Sequence, residues 1–125
     1  MWIRIAVLVF FAGLAMGQPD QSIQKWERIG VKKVGHKLET DSFKVGKEKT
    51  YRFIKIRVFD AGLIIQGWVF EYRNGNVQHV GFVGFAPENK QYPPVPVQGR
   101  LKKIHFRYQS AEVKKKARVE VLGLK

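Results

Sequence analysis

Apolar and polar positions alternate along most of this chain. Between Tyr51 and Val58, Arg52, Ile54, Ile56 and Val58 fall on one side of an extended segment, and Tyr51, Phe53, Lys55 and Arg57 fall on the other. That period of two is the mark of a half-buried strand. Leu101 to Tyr108 repeats it, with Ile104, Phe106 and Tyr108 on the inner side and Lys103, His105 and Arg107 on the outer. Ala117, Val119 and Val121 form a third apolar face, closed by Gly123. Leu63 to Tyr72 and Val77 to Phe85 read as two more strands, joined through Arg73-Asn74-Gly75-Asn76, where Asn74 and Gly75 suit the two φ > 0 positions of a type I′ hairpin. Asp60-Ala61-Gly62 reads as a second hairpin connection, and Trp26 to Val34 and Phe43 to Val45 as earlier strands.

No segment after residue 17 sustains a helical period, and Val, Ile, Phe, Tyr and Trp dominate the apolar positions. Short strands broken by turn signals at this spacing predict an all-β fold, a single antiparallel β-sandwich of Greek-key or jelly-roll type. Pro87 to Gly99 holds Pro87, Pro93, Pro94 and Pro96. Proline cannot donate to a sheet ladder, so this stretch is expected to be the long crossover that such topologies require. Gly81 and Gly84, inside a strand pattern, point to a bulge or to close sheet packing.

Residues 1–17 depart from this pattern and are expected to be a secretory signal peptide. Arg4 and the amino terminus supply positive charge, Ile5 to Ala12 an uncharged apolar core, and Ala15-Met16-Gly17 the small residues of a cleavage site. The apolar run is too short to span a bilayer, so no transmembrane segment is expected after cleavage. The mature chain, residues 18–125, has the size of one domain and is placed in the periplasm or outside the cell. Cys is 0. Disulfide scaffolds, thiol nucleophiles and thiolate metal sites are thereby excluded, and the domain must be stabilised by burial alone.

Several of these segments together resemble a known pattern. They are Trp26-x-x-Ile29-Gly30 followed by Val34, Asp41 to Gly46, Arg52-x-Ile54-Lys55, Tyr72-Arg73-Asn74-Gly75, Gly99-Arg100-x-x-Lys103-Ile104 with Phe106-x-Tyr108-x-Ser110, and Ala117-x-Val119-Glu120-Val121-x-Gly123. The set is similar to small exported bacterial all-β proteins catalogued as a domain of unknown function. Each piece is a strand or turn signature, so the resemblance implies a fold and carries over no functional residue.

Charge adds the feature that bears most on function. The formal net charge is +13. It is uneven: residues 18–57 carry 11 basic and 5 acidic side chains, residues 58–99 carry 2 and 3, and residues 100–125 carry 9 and 2. A surplus of this size favours polyanionic partners, namely anionic polysaccharide or an acidic membrane surface, with nucleic acid a less fitting partner for an exported chain. The expected anion-binding residues are Lys55 and Arg57 on one strand, Lys103, His105 and Arg107 on another, and Lys114, Lys115 and Lys116 in a protruding hairpin loop. If the first two strands are neighbours, they form a basic stripe with Tyr51 and Phe53 interleaved. The plainer expectation is that these charges solvate the surface and keep edge strands from pairing.

Enzymatic chemistry finds little material. His36, His79 and His105 and the sparse aspartates fall in no metal or triad spacing, and Ser22, Ser42 and Ser110 lack a nucleophile elbow. Glu71 and Glu88 are the carboxylates that a glycosidase would have to bring together. The expectation is a non-catalytic protein without cofactor or metal. A second function class is an accessory or inhibitor that docks on another exported protein through the aromatic middle segment, Trp68, Phe70, Phe82, Phe85 and Tyr92.

Overall fold

The computed structural model describes residues 25–80 and 82–125, so the expected signal peptide lies outside the described residues. Among the described residues nine strands follow one another: β1 (Trp26–Val34), β2 (Glu39–Lys44), β3 (Phe53–Phe59), β4 (Leu63–Tyr72), β5 (Val77–His79), β6 (Gly84–Ala86), β7 (Val95–Pro96), β8 (Leu101–Ser110) and β9 (Ala117–Leu124). One sheet has the order β1-β9-β3-β7, and the other β2-β8-β4-β5 with β6 also on β4. Every pairing is antiparallel.

β5 and β6 lie end to end along one edge of β4. Val69 pairs with His79 and Ile65 with Gly84, one residue out of step, so the two form a single strand interrupted by a bulge. Gly84, at φ 115, supplies the backbone conformation that the interruption needs. Counted as one strand, they leave the sheet orders first-eighth-third-sixth and second-seventh-fourth-fifth, the strand order of a jelly roll.

The alternation dictates what lies between the sheets. Val34, Ile54, Ile56, Val58, Ala117, Val119 and Val121 give the inner face of the four-stranded sheet, and all are buried. The opposing face is aromatic: Trp68 and Phe106 stack with ring centres 5.0 Å apart, Phe106 and Tyr108 at 5.4 Å, and Phe43 meets Phe106 edge-on at 5.7 Å. Branched side chains on one layer and rings on the other fill the interior. Gly30 is part of this fit, because a Cβ there would stand 2.5 Å from the Phe43 ring.

Four sequence expectations are corrected. Asp60-Ala61-Gly62 is a corner between sheets rather than a hairpin, since β3 and β4 belong to different layers; Asp60 takes φ 75 and Ala61 tucks into the core. The stretch from Ala111 to Lys116 is likewise a corner, joining β8 to β9 across the layers. The Asn74-Gly75 hairpin exists, but only Gly75 has positive φ, at 92. Three residues rather than two make the connection: Gly75 N–H donates to Tyr72 C=O at 3.0 Å, Tyr72 N–H to Asn76 C=O at 2.9 Å, and Asn76 N–H to Asn74 Oδ1 at 2.9 Å. Finally, β3 begins at Phe53. Tyr51, expected outside, is buried over Gly123, while Arg52, expected inside, is exposed.

The crossover from Pro87 behaves as expected, passing from β6 to the far edge of the other sheet. There β7 makes only a two-residue pairing with β3, Phe53 with Pro96 and Ile54 with Val95.

Candidate anion-binding site

The layers decide which charges can meet. β3 pairs with β9 and β7, whereas β8 pairs with β2 and β4. Outward side chains of the two strands therefore emerge on opposite sides of the sandwich, and the expected stripe uniting Lys55 and Arg57 with Lys103, His105 and Arg107 does not form. Alternation holds along β8 and along β3 from Phe53 onward; the adjacency on which the stripe depended is not met.

On the four-stranded sheet, both predicted residues are already engaged. Arg57 Nε lies 3.3 Å from Glu120 Oε1, and Arg28 Nε lies 2.7 Å from Glu120 Oε2. Glu120 is buried, and its Oε1 is met by Arg57 as a charge neighbour without hydrogen-bond geometry. Lys55 Nζ sits 4.1 Å from the centre of the Trp26 ring. Lys114, Lys115 and Lys116 are exposed on their corner, whose backbone is pinned by the buried Ser110 hydroxyl donating to Lys115 C=O at 2.6 Å.

On the five-stranded sheet, β8 carries Lys103, His105 and Arg107 outward as expected. His105 is not free to bind an anion. Its Nε2 lies 2.8 Å from Glu71 Oε1 on β4, and its Nδ1 lies 2.6 Å from Ser42 Oγ on β2. A carboxylate at Nε2 favours the proton on that nitrogen, leaving Nδ1 to accept from the serine hydroxyl. The row ties three strands together and orients the ring. The hydrogen bond from His105 foremost, with the charges of Lys102 and Lys103 adding to it, holds the Glu71 carboxyl below the usual carboxylate range.

Beside this row opens a cleft of about 430 Å³, lined by Lys44, Val45, Gly46, Lys47, Arg73, Lys102 and Lys103. Three local structures build it. The ladder sets Lys44 opposite Lys103. A register shift between Glu71 and Tyr72 leaves Lys102 without a ladder partner on β4 and turns it toward the same end. Arg73, at the start of the β4–β5 connection, donates to Val45 C=O at 2.6 Å and holds the Lys47 loop against the sheet. Of the five cations, only Lys102 has a carboxylate of the described residues within ion-pair reach, Glu71 at 3.8 Å. Lys44, Lys47, Arg73 and Lys102 were not among the expected site residues. For Lys44, Lys47 and Lys102 the one sequence signal was the excess of positive charge in the outer thirds of the chain; Arg73, in the near-neutral middle, had none.

The aromatic middle segment mostly serves the interior. Trp68, Phe70 and Tyr92 are buried, leaving Phe82 and Phe85 exposed. Among the described residues, no group of three His, Cys, Asp or Glu side chains could hold a metal ion, and no helix is long and apolar enough to cross a membrane.

A family model described as Domain of unknown function (DUF2541) matches residues 4–123. The chain belongs to that family. It is a domain of unknown function, as the strand and turn signatures implied, and the match spans nearly all of the described sandwich. No curated protein and no solved structure matches the chain. The residues of the basic cleft and of the Ser42, His105 and Glu71 row lie within the matched range.

Proposed function

We propose that this protein is an exported, non-catalytic binding module that holds an anionic polymer in the basic cleft and along the outer side of β8. The observation that carries the reading is the convergence of Lys44, Lys47, Arg73, Lys102 and Lys103 on one concavity, with a single carboxylate of the described residues in reach. Cations held together without counter-charges repel one another and concentrate the positive field, and a polyanion relieves that cost while releasing its own counterions. Lys103 and Arg107 continue the positive track along β8. A polymer is favoured over a single small anion because the charges extend beyond the cleft.

Two four-charge variants test this. Changing Lys44, Lys47, Lys102 and Lys103 to Gln is expected to weaken low-salt binding to heparin by about tenfold or more, and to flatten its dependence on ionic strength. Changing Lys33, Lys114, Lys115 and Lys116 to Gln removes the same charge from the other end, and is expected to have a much smaller effect. Equal losses would show that net charge alone matters. Export is tested separately: the intact mass of the protein recovered outside the cytoplasm is expected to begin at Gln18, and a full-length chain in washed membranes would contradict cleavage.

Docking on another exported protein is the second reading. It is supported by the exposure of Phe82, Val83 and Phe85 along the interrupted β5–β6 edge. Such an interface would be insensitive to salt.

A further inference from the structure

The opposite side of the molecule carries a cleft of different chemistry. It has a volume of about 480 Å³ and lies against the outer face of the four-stranded sheet. Trp26 from β1, Leu124 from β9, and Phe53 and Lys55 from β3 line the sheet side, and Gln91 to Pro94 of the crossover form the facing wall. Tyr92 fixes that wall, because its ring is buried and its hydroxyl donates to Pro87 C=O at 2.6 Å.

Lys55 is the only charged side chain in this lining, and among the described residues no carboxylate lies within ion-pair distance of it. Glu120, which the ladder sets opposite Arg57 on the same face, is shared between Arg28 and Arg57. What Lys55 has instead is the indole face at 4.1 Å. Withdrawal from water, and then repulsion by Arg57, lower its pKa from the usual lysine value. The ammonium is thus partly desolvated and short of an anion, a situation that a bound carboxylate would correct.

We propose that this cleft binds a sugar ring bearing a carboxylate, a uronate residue of an acidic glycan, with the carboxylate on Lys55 and the ring against Trp26, Phe53 and the Pro93-Pro94 wall. Inorganic phosphate would satisfy the charge but leave the apolar walls facing water. A fatty acid would need an enclosed apolar channel, whereas this cleft is open and holds the Gln91 amide. That amide matches ring hydroxyls, and a plain aromatic acid would leave it unused. The site does not depend on the basic cleft, which lies on the other sheet.

Calorimetric titration of the protein with trigalacturonate, and with the neutral trigalactoside of the same length, tests the assignment. Saturable binding of the acidic sugar is expected, at least tenfold tighter than the neutral one. Lys55→Met is expected to lose tenfold or more, and Trp26→Ala and Gln91→Ala to lose severalfold. The Lys44, Lys47, Lys102 and Lys103 to Gln variant is expected to keep wild-type affinity, which separates failure here from failure of the basic cleft. Gln91→Ala, at the exposed rim, keeps the test valid should the Lys55 or Trp26 variants fold poorly. Any one of three results would overturn the proposal: no saturable binding up to about 10 mM, equal affinity for the neutral sugar, or displacement of the trisaccharide by benzoate at equal concentration.

Discussion

Glu27 shows how one side chain couples the first strand to the last. Its carboxylate receives Lys125 Nζ at 2.9 Å, the Tyr51 hydroxyl at 2.9 Å and Lys49 Nζ at 3.2 Å. The hydrogen bonds from Lys125 and Tyr51 do most to push its pKa down to about 2, and burial works against them. A carboxyl with a depressed folded pKa contributes stability that is complete above its unfolded value of 4.5 and is lost as pH falls toward 2. Melting temperature is therefore expected to drop across that window, and Glu27→Gln is expected to shrink the drop. The difference should fade at high salt, since the cluster is open to solvent. A wild-type and a Gln variant with parallel pH profiles would contradict the assignment.

Among the elements, the β4–β5 connection is the most exacting. Gly75 alone takes positive φ there. Gly75→Val is expected to lower stability by about 1–3 kcal/mol, read as a fall in melting temperature, because a β-branched residue fits that backbone poorly. Asn74→Ala should cost less, since it removes only the hydrogen bond to Asn76. Strand identity was legible wherever one face is apolar and the other polar, as along Leu101 to Tyr108 and at Ala117, Val119 and Val121. β2 was legible only at its apolar end, because an edge strand that reads Glu39-Thr40-Asp41-Ser42 shows no alternation of hydrophobicity. Which sheet each strand joins was not legible at all. Asp60-Ala61-Gly62 and Arg73-Asn74-Gly75 are both three-residue links, yet one turns a corner and the other closes a hairpin. What separates them is the burial of Ala61 against distant strands. The same difficulty hid most of the basic cleft. Lys103 could be placed outward from its own strand, but its approach to Lys44 depends on a pairing between strands distant in sequence.

At the scale of the whole molecule, the two layers divide the chemistry. One outer face carries the row of Ser42, His105 and Glu71 beside five clustered cations, and the other carries paired arginines and a lysine held over an indole. A net charge of +13 would attract polyanions from any direction, so the central claim is about place: the polymer sits in the cleft between the Lys47 loop and the start of β8. Mapping lysine acetylation by mass spectrometry, with and without bound heparin, tests this most directly. Lys44, Lys47, Lys102 and Lys103 are expected to become protected while Lys114, Lys115 and Lys116 continue to react. Uniform protection of all seven, or protection of the Lys114 to Lys116 corner alone, would contradict it.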